Sequence, residues 1–196
     1  MSQFLRGLVA VFVALFVAAC NTPSPSPVDE LTPVATTTVT DTQGVISRFT
    51  NAIWPAISAY NSDISQGSPG NHQYLKIIAP ELKRDEAQVD QYGNLRSAVQ
   101  KLGTVQEGSQ TQPHIMRDGA GLHLVDTALT ALDSSKATLQ VCYTFTADTR
   151  RTINDPTDTK PFASEATVEL RKTDNWYLYA LSDDHVVAGC SASSKA

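Results

Sequence analysis

The 196-residue chain is short of several things, and each shortage removes a class of function. It has no apolar run near the roughly 20 residues that a bilayer-spanning helix needs. The longest such run, Gly7 to Ala19, is about 13 residues. Positive charge is scarce: 15 Lys and Arg face 20 Asp and Glu, for a net charge of −5. The adjacent pairs Lys83-Arg84 and Arg150-Arg151 have acidic neighbours and read as solvated surface. Nucleic-acid binding depends on neutralising phosphates, so no nucleic-acid partner is expected. No Gly-x-Ser-x-Gly nucleophile elbow, phosphate-cradling glycine loop or dinucleotide fingerprint occurs. The nearest glycine pattern, Gly119-Ala120-Gly121, precedes a strand instead of following one and reads as a turn.

Histidine is limited to His72, His114, His123 and His185, and cysteine to Cys20, Cys142 and Cys190. A zinc site needs three or four convergent ligands, so neither a metal nor another cofactor is expected. His123-Leu124-Val125-Asp126 is one suggestive grouping, but on a regular strand His123 and Asp126 point to opposite faces. Asp183-Asp184-His185 falls where a turn is expected, and turns favour aspartate for backbone capping.

What is present begins with a leader. Met1 to Arg6 carry one basic side chain, the apolar run follows, and small residues precede Cys20. Val17-Ala18-Ala19-Cys20 resembles the bacterial lipobox, with valine in place of the more usual leucine. That resemblance implies acylation of Cys20 (palmitate), removal of residues 1–19, and a mature chain of 177 residues on the outer face of the cytoplasmic membrane. Loss of Arg6 takes the net charge from −5 to −6. Residues 20–41 contain Pro23, Pro25, Pro27 and Pro33 among Ser and Thr, a tether reaching up to about 60 Å. Export to an oxidising space makes Cys142 and Cys190 a disulfide candidate. A metal site or a reactive thiol are the alternatives, each without supporting neighbours.

Hydropathy patterning then gives the fold class. Apolar residues at helical spacing from Val45 to Tyr60 predict a helix over 42–64, kinked or split at Pro55. Gly67 to Gly70 reads as a break, Tyr74 to Ile78 as a second helical stretch, and Pro80 as the first turn of another. Tyr92, Leu95, Val99 and Leu102 form a further apolar stripe that Gly103 ends. Residues 104–121 read as irregular. Alternation then predicts strands over 122–132, 137–147, 162–171 and from Trp176 to Leu181, with short links that imply antiparallel pairing. Helices first and strands afterwards give an α+β domain over 42–190, its N-terminal helices on a curved antiparallel sheet of four to five strands, with a flexible tail at 191–196.

The order of elements, with Val141-Cys142-Tyr143 in a central strand, Asn175-Trp176-Tyr177 opening a late one and Gly189-Cys190 at the end, resembles the nuclear-transport-factor-2-like (cystatin-like) cone. With Cys20, the chain is similar to small actinobacterial lipoproteins of that type. The superfamily contains isomerases, hydratases and non-catalytic members, so the resemblance does not supply a function. It implies that His123, Tyr143, Tyr177 and Tyr179 could line a pocket in the curved sheet, although strand tyrosines more often pack. The expectation is a non-enzymatic, lipid-anchored envelope protein that binds a partner protein or a small apolar ligand. The alternatives are an isomerase- or hydratase-like enzyme working in the cone, and a phage or prophage surface-exclusion lipoprotein.

Overall fold

The computed structural model describes residues 39–84, 89–104, 116–117, 121–149, 156 and 158–190. The expected leader, Cys20, most of the expected tether and the expected tail lie outside them. In the described residues no helix is long and apolar enough to cross a membrane.

The first helical rod comprises α1 (Val45–Arg48), a π-helical turn (Phe49–Ile53) and α2 (Trp54–Ser62). Asp41 starts it: one carboxylate oxygen accepts the N–H of Gln43 and Val45, the other that of Ile46. Partial burial opposes ionisation of Asp41, but the donated N–H groups of Ile46, Val45, Gln43 and Gly44 outweigh it and hold its pKa below the usual value. Pro55 neither splits the rod nor ends it. The turn ahead widens, so that Trp54 N–H bonds to Phe49 O, five residues back, and the missing proline donor is absorbed there.

α3 (Pro69–Ile77) begins earlier than its sequence suggests. Ser68 caps it by accepting Asn71 N–H at 3.0 Å, and Pro69 and Gly70 are its first residues, not a break. Gly70 lies against α2, where a Cβ would fall on the Ala59 carbonyl. α4 (Pro80–Arg84) and α5 (Val89–Lys101) follow. Gly103, at φ 71°, closes α5 as expected. Asn61 of α2, almost fully buried, donates to the carbonyls of Val99 and Leu102 and so satisfies the exposed end of α5.

The sheet is antiparallel throughout. β2 (His123–Leu132), β3 (Lys136–Thr149), β4 (Asp158–Lys172) and β5 (Trp176–Val187) lie side by side in that order. A two-residue strand, β1 (Met116–Arg117), adds to the β2 side of β3, in a stretch that reads as irregular in sequence. β4 begins four residues earlier than alternation predicts and contains Pro161. Proline is tolerated because β5 pairs with β4 only from Ala163 onward, leaving Pro161 an edge position. β5 continues six residues beyond Leu181, through the predicted turn. The whole is the α+β arrangement expected, with helices packed against the sheet.

Leu139, Val141, Tyr143 and Phe145 of β3, Val168 and Leu170 of β4, and Trp176, Leu178 and Leu181 of β5 share one face and pack with Phe49, Ile53, Ile57, Leu95 and Val99 in one buried cluster. The opposite face is lined by Lys136, Gln140, Glu169 and Arg171, with Glu169 bridging Lys136 at 2.6 Å and Arg171 at 2.8 Å. Cys142 opens onto that outer face and is bonded to Cys190. Since β4 lies between β3 and β5, residues 188–190 must cross β4 to reach it. The closed loop of 48 residues lowers the entropy of the unfolded chain by the equivalent of about 4 kcal/mol.

Candidate functional site

The inner face of the sheet is filled. Tyr143 has no solvent exposure: its ring lies 5.2 Å from that of Trp54 and 5.8 Å from that of Phe145. Its hydroxyl is the centre of a buried polar group, accepting Gly103 N–H at 3.1 Å and donating to Asp184 Oδ1 at 2.7 Å. Ser164, directly across from Tyr143 on β4, also bonds to it.

Asp184 reaches this position through an irregularity in β5. Glu165 pairs with His185 and Thr167 with Ser182, so Asp183 and Asp184 both oppose Ala166. Asp183 takes a left-handed conformation, φ 55°. This two-against-one bulge re-aims Asp184 toward the core side of the sheet. Burial pushes its carboxyl above the ordinary aspartate range, and the Tyr143 hydroxyl and His185 pull it only part of the way back. Burial and then the neighbouring Asp184 carboxylate hold the Tyr143 phenol protonated.

Asp184 also lines a cleft of about 530 Å³ between α5 and the C-terminal half of β5. Asn94, Ser97 and Lys101 come from the helix, and Asp183, His185 and Val186 from the strand. That volume lies in the range of small-molecule sites. At its floor a carboxylate with a raised pKa, fixed by a buried phenol, can accept a hydrogen bond or a proton from the cleft side.

None of the four tyrosine and histidine positions suggested by the sequence lines this cleft. Tyr143 is behind it, sealed in the core. Tyr177 donates to Asp174, and Tyr179 stacks under the Arg171 guanidinium at 4.6 Å, both in the first half of β5. Burial, followed by the Asp174 contact, raises the Tyr177 phenol. His123 is exposed at the start of β2. A further bulge between Leu124 and Asp126 changes the side-chain parity. His123, across from Thr144, and Asp126, across from Cys142, therefore both face outward, contrary to the regular-strand reading. Among the described residues no three His, Cys, Asp or Glu side chains gather as a metal site.

Asp184 was visible in the sequence only as part of a turn-like Asp-Asp-His triplet. The one signal that could have lifted it is that Asp183-Asp184-His185 directly continues an alternating strand, without the glycine or proline that normally ends one. No protein-family model matches the chain, and no curated protein does either.

Proposed function

We propose that this chain is a non-catalytic, lipid-anchored cell-envelope domain that binds a ligand or a polar segment of a partner protein in the cleft between α5 and β5. The observation that carries this reading is the cleft itself, open beside an inner sheet face already occupied by Leu139, Val141 and Phe145. Its lining favours a polar occupant over the small apolar ligand that is one of the two expected binding partners, since Asn94, Ser97, Lys101, Asp183 and Asp184 outnumber Leu181, Val186 and Ala98. Anchoring through Cys20 is supported by the leader pattern, and the Cys142–Cys190 bond suits an oxidising compartment. Placement is tested by Cys20→Ser, which should release the protein from membranes and abolish palmitate labelling. Binding is tested by isolating the anchored protein from intact envelope and identifying co-purified molecules. Recovery that is unchanged when Ser97 is replaced by Trp in the cleft would refute the assignment of the site.

The runner-up, an isomerase- or hydratase-like activity, draws on Asp184 and Tyr143, a carboxyl of raised pKa beside a buried hydroxyl. Such an enzyme would lose turnover completely in Asp184→Asn, whereas a binding domain would keep a measurable, weakened affinity.

A further inference from the structure

The chemistry of the cleft's ligand follows from how Asp184 is held. Asp183 is the one non-glycine residue with positive φ among those described. Left-handed backbone disfavours residues with a Cβ, aspartate less than most, and here it belongs to the bulge that re-aims the following side chain. Here it aims Asp184 so that Oδ1 is taken by the Tyr143 hydroxyl, which Gly103 N–H fixes in turn. The second oxygen, Oδ2, receives no hydrogen bond from the described residues, and the residue lines the cleft.

Three other polar groups line the cleft beside it. Asp183 accepts the Ser182 hydroxyl, and His185 Nδ1 lies 2.7 Å from the Asp183 carbonyl oxygen, a contact that suits the Nδ1–H tautomer. Lys101 stands in the last turn of α5, where its charge complements the helix C-terminus. A half-buried carboxylate with one oxygen committed, on a residue that lines a cleft, is matched by a charged donor from the ligand. Leu181, Ala98 and Val186 offer apolar contact for the rest of it.

We propose that the cleft binds small molecules bearing a protonated amine, which donates to Oδ2 of Asp184 while the Tyr143 hydroxyl holds Oδ1. This rests on the cleft being the ligand site. The test uses three probes of one shape and different charge, phenethylamine, 2-phenylethanol and phenylacetate, titrated into the full-length mature protein by ¹⁵N–¹H NMR. Phenethylamine is expected to shift the amides of Ser97, Asp184 and His185 more strongly than either control. Asp184→Asn should weaken it by about tenfold, the scale of one lost charge-assisted bond. Lys101→Glu, a change at an exposed helix end, should tighten the amine several-fold and provides a second readout should Asp184→Asn not fold. Cleft shifts from the alcohol or acid with the amine silent would overturn the amine assignment and leave the cleft standing. Silence from all three would remove both, and an unchanged amine affinity in Lys101→Glu would refute the charge argument.

Discussion

Replacing Tyr143 with Phe is the sharpest probe of the buried polar group. The ring and its contacts with Trp54 and Phe145 are kept, so packing changes little. What is removed is one oxygen with three described partners: the Gly103 N–H, left buried without an acceptor, Asp184 Oδ1, left without its donor, and the Ser164 hydroxyl. An orphaned buried donor costs about 1–3 kcal/mol, and a bond to a charged group is worth about 1.5–3 kcal/mol. Some relief comes from the greater hydrophobicity of Phe, so a net loss of about 2–3 kcal/mol at pH 7 is expected. In a domain of this size that lowers Tm by about 5–10 °C. The loss should also depend on pH. Because the folded pKa of Asp184 lies above its unfolded value of about 3.9, its stabilising share is complete below that value and disappears as pH rises through the folded one. Removing the hydroxyl takes away an influence that lowers the folded pKa, so the variant loses more than the parent above it, and the gap narrows toward pH 4 to the share of the orphaned Gly103 N–H. Urea titrations of both proteins at pH 7 and pH 4, with the disulfide intact, measure this directly. A difference under about 0.5 kcal/mol at pH 7, or one that is equal at the two pH values, would refute the described network.

Three further outcomes follow from the packing. Gly70→Ala should force α3 away from α2 and cost at least about 2 kcal/mol, the high end for overpacking, read as a lower urea midpoint. Asn61→Ala removes two bonds to the end of α5 and should cost about 1–3 kcal/mol, with faster amide exchange at residues 99–104 as its local signature. Cys142→Ser combined with Cys190→Ser should lower stability by about 4 kcal/mol. If reducing agent leaves the parent's midpoint unmoved, the 48-residue closure is not contributing as argued.

Periodicity made the body of the fold legible. Ile53, Ile57 and Tyr60 on the first helical rod, Leu95 and Val99 on α5, and Leu139, Val141, Tyr143 and Phe145 on β3 all face the core as their spacing predicts. Gly103 ended α5, and the cysteine pair formed, because both depend on local conformation or on simple counting. Features set by a partner strand were not legible. The pairing of Met116 and Arg117 with β3, the bulge that aligns His123 with Asp126, and the one that turns Asp184 inward are fixed by register against a neighbour. No residue in those stretches carries the information alone. The site is illegible for the same reason. Tyr143 stands on a readable strand, but its partners Gly103 and Asp184 lie 40 and 41 residues away, and the cleft depends on α5 running beside a strand longer than its alternation predicts.

The covalent strap over β4 also governs how the molecule yields to a pull. A chain drawn out from residue 39 can surrender its helices and β2, but the span between Cys142 and Cys190 cannot lengthen. Roughly 160 Å of contour, at about 3.4 Å per residue, stays hidden until the bond is reduced. Whatever tugs on such a domain meets a knot of two strands that shortens its reach.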